Sequence, residues 1–239
     1  MEMQEVLNKI VEYSFCFFQG KLTGVYLHGS IAMGCFNPMK SDMDILVIVE
    51  DAVIDFQKKT FINSLISLND YLPAKKFCLS TPYEFHYSNM YYSWYKSNPD
   101  DYIKKMSGTD YDLAAHFVIV KKRGIVLYGK EIDDVFGKVP PEAYLDSIKR
   151  DIVDAEKQVI DNPIYIVLNL CRALAYVEDG LILSKKEGGE WAIKNIHEKY
   201  HKLIEEALIC YASDKKMNLD YLFAVEFCRY MKYSISINY

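Results

Sequence analysis

The sequence predicts an α/β half followed by an all-helical half, and three observations carry that prediction. Short apolar runs bounded by turn residues, Val25 to Leu27, Ile45 to Val49 and Ile125 to Tyr128, read as strands. Segments of helical spacing alternate with these runs. Beyond Pro140-Pro141 only helical periodicity remains. The chain therefore divides into residues 1–138, built on a mixed sheet, and residues 139–239, a helical bundle.

Taken in order, the first twenty residues, MEMQEVLNKIVEYSFCFFQG, form an amphipathic helix that stops at Gly20. Strand Val25–Leu27 follows and runs into Gly29-Ser30; the next apolar strand, Ile45–Val49, is led by Asp42 and Asp44. Ile54 to Asn69 has helical spacing and ends before Leu72-Pro73, and Phe77 to Ser80 is a short strand. Pro82 to Met106 is rich in Tyr and Trp and reads as partly helical, broken at Asn98-Pro99. A helix over Asp112–Lys122 stops at Gly124 and leads into strand Ile125–Tyr128. The second half reads as helices over Glu142–Ile160, Ile164–Asp179, Glu190–Ala212 and Leu219–Ser236. The breaks fall at Asn162-Pro163, Gly180, Gly188-Gly189 and Ser213-Asp214.

The chemistry concentrates in Gly24 to Glu50. A Gly-Ser at a strand-to-helix turn offers backbone N–H groups and a hydroxyl to an anion. Asp42 and Asp44, two apart at a strand start, project to one face. Paired carboxylates opposite such a turn suit Mg²⁺ bound to a triphosphate, which points to phosphoryl or nucleotidyl transfer.

Bulk properties narrow the partners. Hydrophobic residues are 51% and charged residues 26% of the 239, the balance of a soluble globular protein large enough for one big core or two modest ones. A net charge of −5 with no basic block disfavours nucleic acid and suits a small cationic molecule. The N-terminus lacks a basic signal-peptide region and its apolar runs are too short to span a bilayer, so a cytoplasmic protein without membrane attachment is expected. The six cysteines are scattered without a C-x-x-C pair and read as reduced core thiols. Oligomeric state is left open.

Gly29, Ser30, Asp42 and Asp44 resemble the signature of the polymerase-β-like nucleotidyltransferases: Gly-Ser, a loop, then Asp-x-Asp at a strand start. The second half narrows the resemblance. Asn169 to Tyr176, then Ser184 to Ala192 with Trp191-Ala192, and the ending Arg229 to Ser234 are similar to the aminoglycoside adenylyltransferases that modify spectinomycin and streptomycin. The resemblance implies a polymerase-β-like domain, a helical domain that completes the ATP and acceptor cleft, and transfer of AMP to an acceptor hydroxyl. Asp42 and Asp44 would then hold Mg²⁺, Gly29 and Ser30 the terminal phosphates, Arg172 and Lys185 further phosphate oxygens, and Tyr211 would line the nucleotide.

Two departures qualify the resemblance. The family's general base, a Glu on the strand after Asp-x-Asp, is matched by Cys78, a soft and mostly protonated thiol. Glu84 is the nearest substitute carboxylate and His86 a second candidate; otherwise the chain is a weakened or inactive nucleotide-binding relative, or its acceptor needs no base. The acceptor-binding stretch also differs: Asp161-Asn162-Pro163-Ile164-Tyr165 puts an amide and a Tyr where the family has acidic, aromatic and His residues. Asp161, Glu187 and Glu190 remain as attractors for a cation.

A rival reading comes from His197-Glu198-Lys199-Tyr200-His201, an H-E-x-x-H pattern. On one helix its two histidines would share a face and bind zinc, with Glu198 as base; a third ligand is not obvious, Glu226 being the one candidate. Lys199 and Lys202 oppose a cation there.

Overall fold

The computed structural model describes residues 2–68, 77–81, 85–108 and 110–237. Contacts divide the chain into two compact units, Met1–Val139 and Pro140–Tyr239.

Unit 1 runs α1 (Met3–Phe18), β1 (Leu22–His28), α2 (Gly29–Ala32), β2 (Met43–Val49), α3 (Asp55–Ile66), β3 (Phe77–Thr81), β4 (Phe85–Ser88), α4 (Tyr92–Ser97), α5 (Pro99–Met106), α6 (Leu113–Arg123), β5 (Ile125–Gly129) and α7 (Ile132–Val135). The sheet order is β4-β3-β2-β1-β5. It is mixed, as expected: β2 and β3 are parallel, whereas β1–β2, β1–β5 and β3–β4 are antiparallel. The parallel pair is joined through α3, the crossover that parallel strands require.

Strand alternation sorts the two faces. Val25, Leu27, Met43, Ile45, Val47, Val49, Phe85 and Tyr87 pack with Val6 and Ile10 of α1, Phe61 and Ile62 of α3, and Tyr102 and Ile103 of α5. On the other face Tyr26, Leu46 and Ile48 pack against Val120 of α6 and Phe136. Each such apolar side chain contributes about 1.5–3 kcal/mol on burial. Asp42 and Asp44 share the alternation of Leu46 and Ile48, so the carboxylates belong to the α6 face.

The stretch from Pro82 to Met106, expected to be partly helical, carries α4 and α5, and its described part opens with β4, a strand not expected there. Phe85 and Tyr87 are 2% and 0% exposed, so pairing with β3 buries both in the larger core. The expected break at Asn98-Pro99 is present: Asn98 Oδ1 accepts from Asp101 N at 3.1 Å and Pro99 opens α5.

Unit 2 comprises α8 (Pro141–Ile152), α9 (Ala155–Gln158), α10 (Pro163–Asp179), α11 (Lys185–Asn195), α12 (His201–Tyr211) and α13 (Tyr221–Ile237). Helix α10 is central, with Ile166 to Cys171 buried in one run and Ala173 to Ala175 in another. The single helix expected over 142–160 is two, α8 and α9. Gly188-Gly189 lies inside α11 rather than breaking it. The helix starts earlier through a capping box, Ser184 Oγ accepting from Glu187 N at 3.1 Å and Glu187 Oε2 from Ser184 N at 2.8 Å. A side chain at 188 would lie 2.7 Å from Arg172 Cγ, and one at 189 would crowd Leu168 and Leu208, so the glycines permit close packing of α10, α11 and α12. Arg229 and Lys232 of α13 both bind Glu156 of α9, at 3.1 and 3.2 Å. Pairs this open to solvent, partly buried at most, are worth little individually.

Cys171, Cys210 and Cys228 are buried free thiols as expected, but Cys16 is exposed and Cys35 intermediate. Among the described residues no helix is long and apolar enough to cross a membrane.

Candidate functional site

The α6 face of the sheet gathers the first constellation. β1 ends at His28, whose antiparallel register partner on β2 is Asp44. The chain then turns through Gly29 at φ +64°, in the left-handed region, into the single turn of α2. A Cβ at Gly29 would collide with the Asp44 carboxylate. Only glycine therefore lets the turn backbone lie against that carboxylate. Asp42 and Asp44 are both partly exposed, between buried Ser41, Met43 and Ile45.

Three buried side-chain polar atoms among the described residues have no hydrogen-bond partner: His28 Nδ1, Ser30 Oγ and His116 Nδ1. They belong to one neighbourhood. The rings of His28 and His116 meet edge-on at 4.9 Å between centroids, and Ser30 follows His28 by two residues. Buried polar atoms are seldom left unpaired, and such a cluster marks a place built for a polar ligand or ordered water. His28 is 3% exposed; burial first, and His116 second, hold its imidazole well below the usual histidine range, so it is neutral at pH 7.

His86 of β4 alternates with core residues Phe85 and Tyr87 and so faces the same side as Asp44. Its Nδ1 lies 3.8 Å from Asp110 Oδ2. Burial lowers the His86 pKa, Asp110 opposes that shift and His116 reinforces it. Cys78 is the register partner of Asp44 on β3, and Ser80 that of His86. Glu84 lies outside the described residues.

Unit 2 holds a second polar cluster. Arg172 Nη2 donates to Asn169 Oδ1 at 2.5 Å, and Asn169 Nδ2 donates to Asp151 Oδ2 at 3.1 Å. Tyr165 hydroxyl donates to the same oxygen at 3.1 Å. Lys185 Nζ sits 4.8 Å from the centre of the Tyr165 ring. Arg172 and Lys185 are thus both tied to Tyr165 and Asp151 within this unit. Tyr211 ends α12 and is 7% exposed.

Of the expected cation attractors, Glu187 is spent on the Ser184 cap and Glu190 lies 3.8 Å from Lys186. The zinc pattern fails on geometry. His197 precedes a short 3₁₀ turn, with Nδ1 accepting from Lys199 N at 3.2 Å, whereas His201 opens α12 and its Nε2 contacts Ile196 O at 3.1 Å. The two do not ride one α-helix. Glu226 is engaged by Lys199 at 2.9 Å and by the Tyr200 hydroxyl at 3.1 Å. Among the described residues no three His, Cys, Asp or Glu side chains gather as a metal cage.

Sequence reasoning missed His28, His116, Asp110, Asp151 and Asn169. Signals existed for some: alternation along β1 sets His28 beside Tyr26, and Asn169 precedes Arg172 by three on a helix. Asp110 and His116 carried none, because only the fold brings them to β4 and β1.

Comparison with known proteins agrees with this architecture. Residues 134–234 match the family model described as the C-terminal domain of aminoglycoside adenylyltransferase, and residues 9–101 match the nucleotidyltransferase domain. A spectinomycin 9-adenylyltransferase of Campylobacter jejuni is 21% identical in an alignment 229 positions long that covers 88% of this chain and 86% of that protein. The crystal structure of spectinomycin adenyltransferase from Enterococcus faecialis, with ATP and spectinomycin, superposes with a TM-score of 0.83. That match is at 18% identity and covers 98% of this chain and 100% of the other.

Proposed function

We propose that this chain, which belongs to the aminoglycoside adenylyltransferase family and is a nucleotidyltransferase enzyme, moves AMP from ATP to a hydroxyl of a small cationic acceptor of the aminoglycoside or aminocyclitol class. One observation carries the proposal: an unpartnered buried Ser30 hydroxyl lies two residues after the register partner of Asp44, on a turn that only glycine can seat against the Asp44 carboxylate.

The residues present fit a divalent ion carried on a triphosphate. Two hard oxygen ligands, Asp42 and Asp44, sit on one strand face, and Mg²⁺ takes one or two carboxylates with phosphates and water rather than a full protein cage. Bound there, Mg²⁺ would offset charge on the phosphates. The chain supplies the rest. Ser30 Oγ and the Gly29-Ser30 backbone bind terminal phosphate oxygens; for the Asn169-anchored Arg172 and for Lys185 the support is the likeness to the family, which gives them a phosphate-binding role. Tyr211 lines the nucleotide. The acceptor hydroxyl attacks the α-phosphorus in line, the new P–O bond forms as the bond to the β-phosphate oxygen breaks, and pyrophosphate leaves with that electron pair. An acidic chain, net −5, favours a cationic acceptor.

A second reading has its own support: Cys78, not a carboxylate, is the register partner of Asp44. A relative that binds nucleotide without transferring it would keep everything else. Calorimetric titration with Mg-ATP tests the shared part of both readings. Binding that EDTA and Asp42→Asn each weaken at least about tenfold is expected, whereas metal-independent binding equal in the two proteins refutes the assignment of Asp42.

A further inference from the structure

The reaction proposed above releases a proton from the acceptor hydroxyl, and the thiol at Cys78 is a poor acceptor for it. His86, with Asp110 beside it, is an alternative. His86 lies on the same sheet face as Asp44 and His28, two strands from β2 and level with Leu46 in the register, which puts its backbone about 12 Å from that of Asp44. An α-phosphate on the carboxylates and an attacking hydroxyl would span that gap. His116 links the two ends: its ring contacts His28, and its field reaches His86. Asp110, just before α6, stands 3.8 Å from His86 Nδ1, within ion-pair reach of an imidazolium though long for a hydrogen bond.

We propose that His86 is the general base of this enzyme, with Asp110 as its orienting carboxylate, in place of the carboxylate that the family carries on the preceding strand. The proposal rests on the adenylyltransferase reading. The tautomer with hydrogen on Nδ1, toward Asp110, makes Nε2 the accepting nitrogen. Nε2 takes the proton as the hydroxyl oxygen bonds to the α-phosphorus and pyrophosphate departs. The imidazolium so formed is stabilised by Asp110 and returns its proton to solvent after product release. Burial lowers the His86 pKa and so favours the neutral form a base requires, Asp110 opposing that shift and His116 reinforcing it. His–carboxylate pairing of this kind orients a base wherever the two side chains converge in space, irrespective of their sequence positions.

The test is kcat against pH for Mg-ATP with spectinomycin, and with water as the default acceptor, in the wild type, His86→Gln and Asp110→Asn. His86→Gln should lower kcat about 10²–10³-fold while Mg-ATP titration stays unchanged, which also shows that the variant is folded. Asp110→Asn should move the acidic limb of the profile to lower pH, because the carboxylate that favours imidazolium is gone; a merely structural role would not move it. Free imidazole should partly restore His86→Ala. Retention of kcat within about threefold in His86→Gln overturns the assignment. So does a wild type that binds Mg-ATP yet releases no pyrophosphate with either acceptor, a result that leaves nucleotide binding standing. A wild type that binds no Mg-ATP overturns the adenylyltransferase reading and the base with it.

Discussion

Replacing Gly29 with alanine separates two costs that usually travel together. The first is conformational: at φ +64° an L-residue pays about 1–2 kcal/mol, offset by about 0.4–1 kcal/mol from the stiffer unfolded chain. Gly180, the C-cap of α10 at φ +67°, bears the same cost with open space around it. The second cost belongs to Gly29 alone, because its new Cβ would overlap the Asp44 carboxylate and displace it by about 1.5 Å to reach ordinary contact. A displacement of about 1 Å at a reacting centre costs about 10²-fold in rate. Gly29→Ala and Gly180→Ala should therefore both lower the melting temperature of metal-free protein by a few degrees, at about 2–4 °C per kcal/mol. Only Gly29→Ala should also weaken Mg-ATP binding, by about tenfold or more, and slow pyrophosphate release by about 10²-fold. Thermal melts and titration of the same samples decide it. Unchanged nucleotide binding in Gly29→Ala, or equal loss in Gly180→Ala, refutes the argument that the glycine exists to seat the carboxylate.

Other predictions follow from single contacts. Asn169→Leu releases Arg172 from its anchor, so KM for ATP should rise about tenfold with less change in kcat; an unaltered KM would remove Arg172 from the nucleotide site. Cys78→Glu should leave transfer within about threefold of wild type, because the base lies elsewhere, whereas a gain of about 10²–10⁴ would identify a decayed enzyme. Metal-free protein should lose stability as pH falls below about 6.5. The folded pKa of His28 lies below its unfolded value, so on acidification the unfolded chain takes up a proton that the folded one refuses. The loss reaches about 1.4 kcal/mol per pH unit for each such histidine. Urea midpoints near neutral pH and about one to two units lower measure it, and a slope that His28→Asn leaves unaltered would exclude His28 as its source.

The strands and the first constellation were legible because they rest on local pattern. Val25 to Leu27 and Ile45 to Val49 are apolar runs of strand length, and Asp42 and Asp44 share a face by alternation alone. Strand β4 was not legible: four residues, Phe85 to Ser88, inside an aromatic-rich stretch give little period, and their pairing with β3 decides them. Gly188-Gly189 misled for a related reason. Intrinsic propensity reads a glycine pair as a helix end, yet close packing against Arg172 and Leu168 outweighs the roughly 1 kcal/mol per residue that each glycine costs inside a helix. The H-E-x-x-H pattern failed because a zinc reading needs one continuous helix, and the chain caps a new helix between the two histidines. His86 stood out only as a residue near Cys78 and His28 only by alternation along β1; their convergence with His116 and Asp110 comes only after β1, β4 and α6 are assembled, so no spacing in the chain announces the cluster.

The most direct test of the central claim is pyrophosphate release from Mg-ATP by the purified chain in the presence of spectinomycin, with the acceptor's mass read afterwards. Acceptor-dependent release, with spectinomycin heavier by one adenylyl group and both signals lost in Asp42→Asn, is the result this account predicts. Bound Mg-ATP with no adduct on spectinomycin, streptomycin or any aminoglycoside tried would contradict it.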